Sequence, residues 1–142
     1  MKTSARNQLA CKVTTVKTGA VNDSIDLQAP GGQKLVATIT RESTRYLGLE
    51  AGKDAVALIK ASSVIVALPD PAMKLSARNL LVGKVGQLTP GAVNAEVGIE
   101  LEGGGTLTAI ITLESAHDLG LEQGTQVIAV IKASMVILGT AA

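Results

Sequence analysis

The chain has 142 residues, 46% hydrophobic and 18% charged, with 13 basic residues against 12 acidic ones. That length fits one ordinary domain or two small ones, and the apolar fraction excludes a disordered chain. A net charge of +1 gives no global field to gather nucleic acid or a membrane surface.

The first eight residues, Met1 to Gln8, lack the apolar stretch of a secretory signal, and no apolar run approaches the ~18 residues of a membrane helix. Residues 9–16 read as a strand, with a turn at Lys17-Thr18-Gly19. Val21, Ile25, Leu27 and Ala29 then fall on one face with polar residues between them, the period of a half-buried strand. Pro30-Gly31-Gly32 breaks the chain, and Leu35, Ala37 and Ile39 resume the alternation, which predicts a hairpin. Thr40 is placed to cap a short helix with Glu42 in its first turn, and Gly48 suits a left-handed exit. Two last strands are expected over about 54–60 and 63–68. Three strands, a short helix and two strands make the pattern of a five-stranded OB-like barrel. With no Trp or Phe and Tyr46 as the single aromatic, its core must be built from Val, Ile, Leu and Ala.

The pattern occurs twice. Ser4-Ala5-Arg6-Asn7 returns as Ser76-Ala77-Arg78-Asn79, and an offset of 72 also aligns Gly19-Ala20-Val21-Asn22 with Gly91-Ala92-Val93-Asn94. Leu47-Gly48-Leu49-Glu50 meets Leu119-Gly120-Leu121-Glu122, and Ile59-Lys60-Ala61-Ser62 meets Ile131-Lys132-Ala133-Ser134. About 31 of 65 positions are identical between 4–68 and 76–140, with no gap. Two copies are too few for a solenoid, so the expected layout is an all-β pair of tandem barrels. These are a first domain over 1–68, a short proline-containing linker over 69–74 and a second domain over 75–142. A copy of about 65 residues without disulfide or aromatic bulk is marginal alone, which predicts self-association.

Catalytic chemistry finds little support. His117 is the single histidine, expected on an exposed helix face, and Arg45 stands at its place in the first copy. Cys11 is the single cysteine, so no internal disulfide exists; a reducing compartment, hence the cytoplasm, is expected. One His and one Cys cannot build a zinc site. Residues 48–54 resemble a phosphate loop only loosely, with Asp54 in place of Ser or Thr and no helix to follow. Asn22-Asp23-Ser24 matches a glycosylation triplet by chance.

Charge separates the copies. Residues 1–68 carry nine basic and five acidic residues, whereas residues 69–142 carry four and seven. The four cations of the second half, Lys74, Arg78, Lys84 and Lys132, all have basic counterparts in Lys2, Arg6, Lys12 and Lys60. Two of these positions lie in donor-rich tetrapeptides, where Ser, Asn, Lys and backbone N–H groups could together hold a small oxyanion. The plainer alternative is that Ser-Ala-Arg-Asn begins a strand and Lys-Ala-Ser forms a turn, each retained from the duplication.

The repeated Ser-Ala-Arg-Asn, Gly-Ala-Val-Asn, Thr-x-Glu-Ser (Thr40, Glu42, Ser43; Thr112, Glu114, Ser115), Leu-Gly-Leu and Lys-Ala-Ser motifs resemble the Mop domain. This is the molybdate-binding module of molbindins, related to the TOBE domain of molybdate transporter ATPases and molybdate-responsive regulators. The likeness covers 3–68 and 75–140. It implies an OB-like fold that stores or buffers molybdate for molybdenum homeostasis, with tungstate as a second candidate ligand and no catalysis. It also implies a homotrimer with oxyanions held between domains.

By this resemblance one kind of site uses Ser4, Ala5, Arg6 and Asn7 of one domain with Lys60, Ala61 and Ser62 of a neighbour. Its counterpart uses Ser76, Ala77, Arg78 and Asn79 with Lys132, Ala133 and Ser134. A second kind, near the symmetry axis, draws on Gly19, Ala20, Val21, Asn22 and Ser43, or on Gly91, Ala92, Val93, Asn94 and Ser115. The copies depart from each other at Gln8 and Cys11, which align with Leu80 and Gly83, so their sites are expected to differ in affinity. Two other readings remain open. Donor lists do not separate molybdate from sulfate or phosphate. An OB-like nucleic-acid binder would need stacking aromatics and a basic track, and the one Tyr has no counterpart in the second copy.

Overall fold

A computed structural model describes residues 1–142. The first copy contributes β1 (Asn7–Thr18), β2 (Asn22–Gln28), β3 (Lys34–Thr40), α1 (Arg41–Leu47), β4 (Asp54–Ile59) and β5 (Ile65–Ala67). The second contributes β6 (Asn79–Pro90), β7 (Asn94–Leu101), β8 (Thr106–Thr112), α2 (Leu113–Asp118), β9 (Gln126–Ile131) and β10 (Ile137–Gly139). Short 3₁₀ turns at Ala61–Ser63 and Ala133–Met135 precede β5 and β10.

β1 serves two neighbours because it bends. Its first half pairs with β4 from Asn7↔Ile59 to Lys12↔Asp54, and its second half pairs with β2 from Lys12↔Gln28 to Thr18↔Asp23. A bulge between Val13 and Thr15 separates the halves, and such an extra residue increases strand twist and curls the sheet. β6 repeats this with a bulge between Val85 and Gln87. The β1–β2 turn needs glycine, since a Cβ on Gly19 would collide with the Asn22 carbonyl oxygen.

Both helices begin as the sequence predicts. Thr40 Oγ1 accepts from the Ser43 N–H at 3.1 Å, and Thr112 Oγ1 accepts from the Ser115 N–H at 3.0 Å. Gly48 ends α1 in the left-handed region at φ 62°.

The expectation that each copy forms its own barrel fails at the last strand. The sheets run β10-β4-β1-β2-β3 and β5-β9-β6-β7-β8, so each copy lends its fifth strand to the other. β5 pairs with β9 through Ile65↔Val130, Val66↔Ala129 and Ala67↔Ile128, and β10 pairs with β4 through Ile137↔Leu58, Leu138↔Ala57 and Gly139↔Val56. The cause is the connection. The primed two-residue turns that fold a strand back on its neighbour are missing after β4, and a right-handed 3₁₀ turn carries the chain onward instead. Val64 and Val66 are thereby buried in the second barrel, and Val136 and Leu138 in the first. The result is one hydrophobic cluster of 28 residues drawn from both copies. The marginal stability of a lone copy is thus met first within the chain.

A second tie fixes the barrels. Asn7 Oδ1 accepts from the Thr108 N–H at 2.7 Å while its Nδ2 donates to the Thr108 carbonyl at 2.8 Å. Asn79 repeats this on Val36, accepting from its N–H at 2.7 Å and donating to its carbonyl at 2.8 Å. β3 and β8 end their sheets, so these amides satisfy edge groups that a neighbouring strand would otherwise pair. Both asparagines are buried.

Replacing Asn79 with Ala strands a buried N–H and C=O of Val36, for an expected loss of about 2 kcal/mol. The melting temperature should fall by roughly 5–10 °C, against little change for Gln123→Ala on the exposed surface. Coincident melting of Asn79→Ala and the parent protein would contradict the clamp.

Candidate functional site

The register Asn7↔Ile59 sets the residues before β1 beside those after β4. Ser4, Ala5 and Arg6 therefore line one cavity of about 310 Å³ with Lys60, Ala61 and Ser62. Thr3, Leu58, Ile110 and Ile137 complete it. Within the chain the two motifs of one copy meet, because β1 and β4 are adjacent strands. The other copy supplies Ile110 on β8 and Ile137 on β10 through the strand exchange. No sequence pattern marked those two, since their place depends on the swapped fifth strand.

The donors are of three kinds. Lys60 offers an exposed ammonium and Ser4 and Ser62 offer exposed hydroxyls. The N–H groups of Ala61 and Ser62 stand at the open start of a 3₁₀ turn, whose own bonds begin with the Ser63 N–H to the Lys60 carbonyl at 2.9 Å. Arg6 lines the cavity, but its Nη2 donates to Glu96 Oε1 on β7. The Ala5 N–H is taken by Thr3 Oγ1 at 2.8 Å. Neither Glu96 nor Thr3 stands out in the sequence.

Asn7 and Asn79 belong to a different task. Nδ2 of Asn7 donates to both the Thr108 and Ile59 carbonyls, at 2.8 and 3.2 Å, so neither of its hydrogens is free for a ligand. Nδ2 of Asn79 donates to the Val36 carbonyl at 2.8 Å; both amides serve the clamp, a use that sequence alone does not distinguish from ligand binding.

In the second copy, Asn79↔Ile131 brings Ser76, Ala77 and Arg78 beside Lys132, Ala133 and Ser134 in the same way. Lys132 and Ser134 are exposed and Ala133 is buried, as are their first-copy equivalents.

The turn motifs also meet the helix starts. Asn22 pairs with Thr40, and the Arg41 N–H donates to the Val21 carbonyl at 2.9 Å, which sets Gly19, Ala20, Val21 and Asn22 next to the turn bearing Ser43. Gly91, Ala92, Val93 and Asn94 meet Ser115 likewise, with the Leu113 N–H on the Val93 carbonyl at 2.8 Å. Ser43 and Ser115 each accept from the capping threonine hydroxyl at 2.8 Å, which leaves their own hydroxyl protons available. Ser115 also shares a cavity of about 340 Å³ with Ser62 of the other copy.

Elsewhere, the hydrogen bond from Lys12 at 2.8 Å holds the Asp54 carboxyl below the ordinary range. Cys11 is buried against a cavity of about 880 Å³ lined also by Lys53, Thr140 and Ala141, and burial pushes its thiol up. His117 is exposed on α2. No helix is long and apolar enough to cross a membrane.

Similarity to known proteins follows the repeat. The family model described as TOBE domain matches twice, over residues 3–66 and 75–138. The molybdenum-pterin-binding protein MopA of Rhodobacter capsulatus is 44% identical over 138 residues, covering 97% of this chain and 52% of that protein. The molybdenum transport protein ModE of Azotobacter vinelandii is 41% identical over 138 residues, covering 97% and 51%. The chain thus spans about half the length of these curated relatives. Among solved structures, the cytoplasmic molybdate-binding protein ModG, in a form with molybdate bound, superposes with a TM-score of 0.96. It is 48% identical, and the match covers 99% of this chain and 100% of that one.

The raised thiol pKa and the burial of Cys11 predict slow alkylation. At pH 8 the native protein should react with iodoacetamide at least tenfold more slowly than the urea-unfolded chain. Equal rates would show that the strand face around Cys11 is open.

Proposed function

Since the chain belongs to the TOBE domain family, with the domain present twice, we propose that it is a cytoplasmic binding protein that stores or buffers molybdate and performs no catalysis. The observation that carries the reading is the cavity that gathers Ser4, Ala5 and Arg6 with Lys60, Ala61 and Ser62. Molybdate is a tetrahedral dianion, and removing it from water requires opposing charge and several donors converging on its oxygens. Lys60, with two serine hydroxyls and the open N–H groups of the 3₁₀ turn, meets that need with few charges. Ser76 to Arg78 with Lys132 to Ser134 form the second such site. Tungstate, with the same shape and charge, is held by the same donors. The turn residues 19–22 and 91–94, with Ser43 and Ser115, form a second kind of site where copies of the chain meet.

We further read the protein as a homotrimer. Val21 and Val93 are both 72% exposed, and Ile65 and Ile137 are 59% and 60% exposed. Apolar residues left in water to the same degree at equivalent positions of both copies fit a surface repeated around an assembly axis. Sites completed between subunits couple ligand binding to assembly by mass action.

Titration calorimetry with molybdate, sulfate and phosphate tests the function. Molybdate is expected to bind in the presence of excess sulfate or phosphate, and Lys60→Ala and Lys132→Ala are each expected to weaken it about tenfold or more. Absence of heat from folded, ligand-free protein would refute the reading, and displacement by sulfate would reassign the ligand. Light scattering at three chain masses is the expected outcome for assembly, and a monomer would contradict it.

A further inference from the structure

The two copies differ in what already occupies their donors. In the first copy the Arg6 guanidinium is paired with Glu96, and the Ala5 N–H donates to Thr3 Oγ1 at 2.8 Å. The offset of 72 places Ser24 at the position equivalent to Glu96 and Leu75 at the position equivalent to Thr3. Neither can do the same work, because serine carries no charge and leucine has no acceptor. Arg78 accordingly takes part in none of the four ion pairs of the chain. The Ala77 N–H meets no acceptor.

Each face carries one further acid beside a lysine. The Asn79 clamp on Val36 brings the start of β6 to the β3 edge, and on the adjoining β2 the Asp26 carboxylate lies 3.5 Å from Lys34, with its Oδ1 buried and unpartnered. The Asn7 clamp sets Arg6 over the β7–β8 face, where Glu100 lies 3.9 Å from Lys84. Glu96 alone is paired with an arginine of the two donor motifs. It shares with Arg6 a cavity of about 460 Å³ lined by no hydrophobic residue, and it is partly exposed, so the pair can open.

We propose that the two oxyanion sites of the chain are unequal, because Glu96 and Thr3 occupy donors of the first site that Ser24 and Leu75 leave free in the second. This inference rests on the reading of Ser4–Arg6 with Lys60–Ser62, and their equivalents, as oxyanion sites. A dianion entering the first site must compete with a carboxylate for Arg6, and that carboxylate stays close enough to repel it. At a separation of about 8 Å in water, a charge of −1 acting on −2 lowers affinity by about fivefold, and salt screens the effect. The second site therefore fills first as molybdate rises, and the first acts as overflow capacity.

Titration calorimetry with molybdate at low salt, on full-length protein, tests this through paired substitutions. In a Lys132→Ala background, where the second site is weakened, Glu96→Ser is expected to tighten binding at the first site by about fivefold, and Glu96→Gln by a similar factor. The gain should shrink in 0.5 M sodium chloride. In a Lys60→Ala background, where the second site is read, Glu96→Ser should change nothing and Ser24→Glu should weaken binding by about fivefold. Melting temperatures without ligand verify that each variant is folded. Glu96→Ser and Glu96→Gln titrations that superimpose on their Lys132→Ala parent would overturn the inference and leave the oxyanion reading standing. A parent protein that takes up no molybdate would overturn both.

Discussion

The whole arrangement depends on how two sheet edges are satisfied. An exposed edge strand carries unpaired N–H and C=O groups that invite pairing with another chain. In this protein Asn7 and Asn79 reach across the pseudo-twofold relation of the copies and bond Thr108 and Val36 on the edges of the opposite sheets. Each amide substitutes for one residue of a neighbouring strand, supplying a donor and an acceptor at once. Because these asparagines open β1 and β6, their upstream neighbours Ser4–Arg6 and Ser76–Arg78 are fixed against the other copy's strands. The candidate sites are thus a consequence of closing the edges.

Strand exchange has the same logic. A copy of about 65 residues buries too small a fraction of its surface to be comfortably stable alone. Sending β5 and β10 across places Val64, Val66, Val136 and Leu138 in the partner barrel and joins both halves into one cluster of 28 buried residues. The 3₁₀ turns that redirect the chain are the Lys-Ala-Ser segments themselves. One local conformation therefore serves folding and presents Ala61, Ser62, Ala133 and Ser134 at the cavity mouth. Outward-facing Ile65 and Ile137 are carried by the exchanged strands, so assembly would use them as well.

Much of this was legible in the sequence, for identifiable reasons. The period of two in Ile25 to Ile39 and the threonine caps depend on local chemistry, and they gave the strands and helices close to their observed positions; Val21, grouped with the same face, instead precedes β2 and is exposed in the turn. The grouping of Ser4–Arg6 with Lys60–Ser62 came from the family resemblance, and strand register then placed them together. The exchange was hidden because the copies are so alike. Val64 equals Val136 and Ile65 equals Ile137, so either fifth strand fits either barrel, and only the turn geometry decides. The role of Asn7 was hidden because a buried amide that binds backbone reads like one that binds a ligand. Glu96 was hidden because its partner lies 90 residues away. The difference between the copies that the sequence did show, their opposite charge balance, finds a local meaning only once Arg6 and Glu96 are seen to meet.

The central claim is that the cavity between the start of β1 and the end of β4 holds the oxyanion. Diffraction from crystals grown with molybdate, with data collected at the molybdenum absorption edge, tests it without reference to any variant. The account predicts anomalous peaks within hydrogen-bonding reach of Ser4, Lys60 and Ser62, and of Ser76, Lys132 and Ser134. Peaks confined to other surfaces, with both of these sites occupied by water, would contradict it.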